Sequence, residues 1–391
     1  MKKLNFLILF LTLSPAFSAQ NKHEMVDLHA HLFMKEALGW FFSGAFFEDE
    51  IRANHWSDRF SSQANPKTVN ESGIGLLVVA LYAHPLFTWN MRQTIREQIQ
   101  LAQRFVRENP EWILAKTPDE AWKAYTEGKR VMLLSLEGVS GILETMQDID
   151  EFYDLGVRIV TFSHFTDDDF GGAALLTGMD KIANPFAWLW SKTELSDGKK
   201  IKRNPKGLSE KGYALLRELI QRKIWIDLTH ASDAAQEEMM PLLKKAGQPF
   251  LYTHVGLRKY LGSERGISLK QLVAVRQTGG IVGVTPSPKL LAGTFEESDQ
   301  DAQIEAFIRQ YNEAARIIGS PFTMTGSDFN GAIAHLSPSP AVRDSSLEKR
   351  GLYHIGQEGE LWNLMKKNGA SISPKPGVYI DTFLKAWAKV F

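Results

Sequence analysis

The residues Asp27-Leu28-His29-Ala30-His31-Leu32 follow directly on the apolar pair Met25-Val26. In an extended chain successive side chains alternate sides, so His29 and His31 face one way and Ala30 the other. Imidazole is the commonest protein ligand for a divalent metal, and two of them aimed at one point make half of a zinc-type site. Two histidines in a polar loop have the same spelling, so the rest of the chain has to decide.

Similar groups recur at the ends of other apolar runs. Glu137 closes Ser135-Leu136-Glu137-Gly138, and His164 follows Phe162-Ser163. His230 ends Asp227-Leu228-Thr229-His230, His254 ends Tyr252-Thr253-His254, and Asp328 lies in Gly326-Ser327-Asp328-Phe329-Asn330-Gly331. Taken singly, each is more often a core histidine or a salt-bridge acid. Taken together they form a ligand set, with Glu137 as its natural bridge, because a buried carboxylate needs positive charge beside it to stay ionised. His84 lies just past the second run, while His23, His55, His335 and His354 attach to no run end.

The runs that carry these residues are eight: 24–28, 74–82, 131–136, 157–162, 224–228, 249–252, 281–285 and 322–325. Most are too uniformly apolar for a half-exposed antiparallel sheet and suit parallel strands buried on both faces. Helical periodicity fills the intervals at 90–108, 118–127, 149–155, 209–222, 233–246, 269–277 and 300–318. Start signals support several of them, such as Thr117-Pro118 with Asp119 and Glu120 in the first turn. Strands alternating with helices in this number predict an α/β (β/α)8 barrel, whose active sites lie at the C-terminal strand ends. An open doubly wound sheet is the alternative, but no glycine-rich phosphate loop follows the first strand. Two stretches, 39–72 and 166–207, exceed ordinary loop length and read as lids or binding elements. The tail 357–391 reads as two further helices outside the barrel.

Forty-five basic and 45 acidic side chains balance to zero, which argues against nucleic acid or an anionic membrane surface as partner and for a small-molecule substrate. Lys2 and Lys3, an apolar stretch over 4–13, and small residues up to Ala19 read as a signal peptide over 1–19. The stretch is short of the roughly 20 residues that span a bilayer, so no transmembrane anchor is expected. The mature chain, 20–391, is then one exported domain, periplasmic or secreted. The absence of cysteine excludes disulfides and thiolate ligands.

The chain resembles the membrane (renal) dipeptidase family of the amidohydrolase superfamily. The likeness is carried by Ser135-Leu136-Glu137-Gly138, by Ile226-Asp227-Leu228-Thr229-His230, by Thr253-His254, by Glu264-Arg265-Gly266-Ile267-Ser268 and by Gly326-Ser327-Asp328-Phe329. It extends to Gly351-Leu352-Tyr353-His354 and Phe383-Leu384-Lys385-Ala386-Trp387. The resemblance implies one zinc ion on His29, His31 and Glu137 and a second on Glu137, His230 and His254. It implies Asp328 as proton shuttle, His164 as transition-state ligand and Arg265 as binder of a substrate carboxylate. The family usually presents His-x-Asp at the first strand, where this chain has His29-Ala30-His31. The expected activity is hydrolysis of a dipeptide amide through a hydroxide bridging two divalent ions, zinc in the first instance. Two alternatives stay open: a related hydrolase of N-acyl amino acids, lactones or esters, and a non-catalytic exported metal-binding protein. A homodimer is compatible with either.

Overall fold

The computed structural model describes residues 23–34, 63–85, 88–176, 178–291, 300–331, 333–336, 347 and 351–391. The expected signal peptide over 1–19 and the part of the long segment at 39–62 lie outside the described residues.

Eleven strands are described: β1 Met25–Ala30, β2 Ile74–Leu81, β3 Trp112–Leu114, β4 Arg130–Glu137, β5 Val157–Thr161, β6 Lys192–Ser196, β7 Lys199–Arg203, β8 Trp225–Asp227, β9 Leu251–Val255, β10 Ile281–Val284 and β11 Thr323–Thr325. Parallel pairing runs β2-β1-β11-β10-β9-β8-β5-β4, and β4 returns to β2, from Leu76 opposite Val131 to Leu81 opposite Leu136. The eight-stranded parallel barrel is therefore closed, as the apolar runs predict. Every residue of β1, β2, β4, β5 and β8 to β11 is buried, the outcome expected when strand interiors face side chains inside and helices outside.

The helices form for local reasons. Helix Met91–Glu108 starts at Asn90, whose side chain accepts from the Gln93 amide, and lays Ile95, Ile99, Ala102 and Phe105 along one buried stripe. Helix Leu269–Thr278 opens with a Ser268 capping box and stops at Gly279, in the left-handed region at φ 66°. The two expected tail helices are Glu358–Lys367 and Val378–Ala388. Phe383 of the latter packs its ring 5.5 Å from that of Trp225, the first residue of β8, so this helix covers the end of the barrel opposite the candidate site.

Three features depart from the sequence expectation. β3 pairs with the first half of β4, beside the half that β5 takes, and three residues carry too little pattern to announce it. Helix Met146–Leu155 begins three residues before the expected 149, at a Thr145 capping box closed by Asp148. Within 166–207 stands an antiparallel hairpin of β6 and β7, turned by Asp197-Gly198 with φ 51° and 78°. Asp-Gly is a strong hairpin signal, masked here by lysines where apolar residues usually alternate. Among the described residues no helix is long and apolar enough to cross a membrane.

Candidate metal centre

The groups singled out in the sequence meet at the C-terminal end of the barrel. His29 and His254 are the penultimate residues of β1 and β9, and Glu137 is the last of β4. His31 lies one residue past β1, while His164, His230 and Asp328 lie three past β5, β8 and β11. His230 and Asp328 adopt left-handed backbone, φ 67° and 57°. Such turns are sparsely populated by residues other than glycine and recur where a site needs a side chain redirected.

Glu137 sits at the centre. Its Oε1 lies 3.4 Å from His29 Nε2, 3.3 Å from His230 Nε2 and 3.5 Å from His254 Nε2. Its Oε2 lies 3.3 Å from His31 Nε2 and 3.7 Å from His164 Nε2. The Nε2 atoms of His29 and His31 are 3.3 Å apart, and those of His230 and His254 are 2.9 Å apart. Nitrogens held at about 2.0–2.1 Å from one ion at tetrahedral angles stand roughly 3.3 Å from each other, so both pairs have the spacing of ligands. Three three-residue groups bring their ligand atoms close enough to share an ion: Glu137 with His230 and His254, His29 with His31 and Asp328, and His29 with Asp227 and His254. Asp328 thereby joins the first imidazole pair directly.

Residues outside the expected set orient this cluster. Asp227 Oδ2 accepts from Thr253 Oγ1 at 2.6 Å and from Thr161 Oγ1 at 2.9 Å, and Oδ1 takes the Thr229 amide and hydroxyl. Thr253 Oγ1 also lies 3.3 Å from His29 Nδ1 and 3.0 Å from His254 Nδ1. A hydroxyl has one proton, and here the carboxylate takes it, so Oγ1 must accept from both Nδ1–H groups. Both rings are thereby set with bare Nε2 atoms turned to the centre, the tautomer a metal requires. Asp227, although near His29 and His254, has its oxygens occupied by these donors and acts as an anchor. The Asp-Leu-Thr-His and Thr-His spellings held the signal for Asp227 and Thr253, but only as parts of a motif. On the other flank Asp27 accepts the Ser327 amide and hydroxyl, and His335, stacked on Phe329, contacts the Ser327 carbonyl at 2.7 Å. These contacts tie β1 to the turn that carries Asp328.

The charges do not balance within the protein. Burial alone would push the Glu137 carboxyl up, and the His164 and His29 imidazoles around it bring it well below its ordinary value. Yet burial pushes His164 down to about 4, and burial also holds His230 and His254 well below theirs, so all three are neutral near pH 7. His31 moves the other way: burial opposes its charge, and Asp328 and Glu137 raise it to about 9. Neither Glu137 oxygen has a hydrogen-bond partner. An ionised buried carboxylate among bare nitrogens is costly unless a cation accepts both kinds of lone pair. The residues therefore fit a divalent metal.

Arg265 is buried, donates through Nη2 to the His254 carbonyl at 2.9 Å and approaches His230 Nε2 at 3.2 Å, while its Nη1 has no partner. It is no surface cap of the following helix, whose N-cap is Ser268. Tyr82 packs its ring 4.5 Å from that of His164. Beside them a cavity of about 250 Å³ opens, lined by Tyr82, Met91, Glu137, His164 and Asp168 among others.

The sequence profile of the membrane dipeptidase family, peptidase family M19, matches residues 16–338. An uncharacterised dipeptidase of Schizosaccharomyces pombe is 23% identical over 256 residues, 65% of this chain and 52% of that protein. A dipeptidase of Aspergillus terreus is 24% identical over 246 residues, 62% of this chain and 57% of that one. The chain thus spans about half the length of the curated relatives it matches. A crystal structure of a metallopeptidase from Rhodobacter sphaeroides, liganded with a phosphinate mimic of the dipeptide L-Ala-D-Ala, superposes with a TM-score of 0.70 at 16% identity and covers 95% of this chain and 100% of that one. Such low identity speaks for the shared barrel alone. Profile and fold agree along the barrel, and the chain belongs to the membrane dipeptidase family, peptidase family M19.

Proposed function

We propose that the protein is a dipeptidase that works with two divalent ions, zinc by the imidazole and carboxylate character of its donors. One observation carries this reading: a buried Glu137 with two unpartnered oxygens, one turned to His29, His230 and His254 and the other to His31 and His164. His29, His31 and Glu137, with Asp328 at their side, would hold one ion, and Glu137, His230 and His254 the other. Ions bound there would supply Lewis-acid polarisation of the scissile carbonyl and would acidify water to near neutrality.

The chain's own residues do the rest. Arg265 binds the substrate's terminal carboxylate through the face that carries its unpartnered Nη1, since guanidinium and carboxylate match in a planar pair. His164, whose Nε2 is turned to the cluster, holds the carbonyl oxygen as charge builds on it, a contribution of about 2.7–4 kcal/mol for one such donor. Asp328 Oδ1 carries a proton to the departing amine. The cavity of about 250 Å³ beside Glu137 gives room for a substrate of dipeptide size. Lys2, Lys3 and the apolar 4–13 stretch support export with removal of 1–19.

The test is metal analysis of purified protein together with a panel of L,L and L,D dipeptides, N-acyl amino acids and lactones. Two divalent ions per chain and cleavage of dipeptides, both lost in Glu137→Gln, are expected. Full occupancy and unchanged turnover in that variant would overturn the metal reading. Preference for lactones or N-acyl amino acids would reassign the substrate to the wider hydrolase class.

A further inference from the structure

The zero net charge of the chain conceals a segregated surface. Between 181 and 206, inside the long segment that follows β5, seven lysines and arginines face two acids, a local charge of +5. The same segment carries a set of exposed large apolar side chains: Ile182 at 83%, Phe186 at 74%, Leu189 at 73%, Trp190 at 70% and Leu195 at 76%.

Their placement is ordered. Helix Pro185–Trp190 is held on one side by buried Ala187 and by Asn184, whose amide donates to Asp167 Oδ1 at 2.8 Å. Phe186, Leu189 and Trp190 stand at i, i+3 and i+4, which share one helix face. Ser191 leads directly into β6, where Leu195 pairs across the hairpin with Lys200, and Thr193 with Lys202. These four lie on one face of the hairpin and all are exposed, whereas buried Ile201 and Arg203, paired to Glu194 and Glu237, anchor the other. The hairpin and helix are thus fastened from behind and present an apolar front flanked by Lys200 and Lys202.

We propose that this front is a docking surface for an anionic lipid bilayer, with the helix tip seated in the headgroup region and the hairpin lysines against lipid phosphates. Three considerations select that occupant. Side chains this exposed stand proud of the surface, a form suited to a soft interface and not to a groove. Tryptophan, phenylalanine and leucine beside lysines is the composition of interfacial segments, in which lysine stems lie along apolar surface and their charges reach headgroups. A second copy is disfavoured, because a two-fold contact through this patch would set +5 against +5. The segment follows a C-terminal strand end, so docking would place the metal-centre rim near the lipid surface.

Sedimentation of the mature protein, residues 20–391, with vesicles tests this, comparing phosphatidylglycerol–phosphatidylcholine mixtures with pure phosphatidylcholine. Binding to the anionic vesicles that weakens with salt is expected. The variants Phe186→Ser/Leu189→Ser/Trp190→Ser and Lys200→Glu/Lys202→Glu should each lower partitioning, the second by on the order of a hundredfold. Hydrolysis of a soluble dipeptide and the far-UV circular dichroism should stay at wild-type values in both, since none of these residues reaches the metal cluster. The proposal is overturned if wild-type protein ignores anionic vesicles, if either variant binds them as wild type does, or if the protein is a dimer that the apolar variant dissociates.

Discussion

Asp328 Oδ1 lies 3.4 Å from His31 Nε2 and 3.9 Å from His29 Nε2, within reach of the ion those imidazoles would hold. At 12% side-chain exposure it is also more open than His29 or Glu137, which suits a group that meets substrate. Asp328→Asn is expected to retain most of its metal and to lose activity by a factor of about 10²–10⁴, the usual weight of general acid–base help. Metal content and turnover measured on the same preparation separate the roles. If activity falls only in step with lost metal, Asp328 is a ligand and nothing more.

The tether from Asp227 through Thr253 to His29 and His254 predicts that a hydroxyl outside the ligand set controls metal affinity. Thr253→Val keeps the shape and removes the acceptor of both Nδ1–H groups. Affinity should drop roughly 10–100-fold, the range for lost outer contacts to ligating histidines. Thr161→Val serves as control, since Thr161 touches the same Asp227 oxygen at 2.9 Å and no histidine. Competition titration with a chelator reads both. Equal losses would reduce Thr253 to a packing role.

Arg265 is expected to separate peptide substrates from neutral ones. Losing a charge-assisted contact costs about 1.5–3 kcal/mol, so Arg265→Met should depress kcat/KM for dipeptides by roughly tenfold to over a hundredfold. A neutral ester or lactone should be nearly untouched. Equal loss on both classes would point to the contacts with His254 and His230 as its real task.

The Glu264 carboxyl, which precedes Arg265 in the chain, is raised from 4.5 to about 8 by burial and by Asp233, against the amides of Leu175, Asn204 and Asp233 that favour its charge. A raised carboxyl binds its proton more tightly in the folded state. Its contribution to stability is then full below about pH 4.5 and is lost as pH climbs to about 8. The unfolding free energy from urea titrations between pH 5 and 8 should therefore fall for the wild type relative to Glu264→Gln, by up to about 1.4 kcal/mol per pH unit. Metal-linked effects are common to both proteins and cancel in the difference. Parallel curves would show that the three amides keep Glu264 ionised throughout.

Much of this was legible in the chain alone, because it depends on local patterns. Mainly apolar runs of four to nine residues mark strands buried on both faces, and the eight predicted runs are the eight barrel strands. Ending such a run with His29, Glu137 or His254 places a candidate ligand at one rim whatever the neighbours are. Lys-rich β6 and β7 escaped because their strands have one exposed face and no apolar run. What no local pattern could state is which ends face each other across the closed barrel. Thr253 and His29 are 224 residues apart in sequence, and only closure through β11 and β10 brings that hydroxyl to the imidazole and so decides its tautomer. Closure likewise centres Glu137 among imidazoles from β1, β8 and β9, and brings Asp328 to the first histidine pair. The identity of the candidate ligands was a property of the sequence, whereas their geometry arose from the ring of strands, because register across hundreds of residues is set by packing.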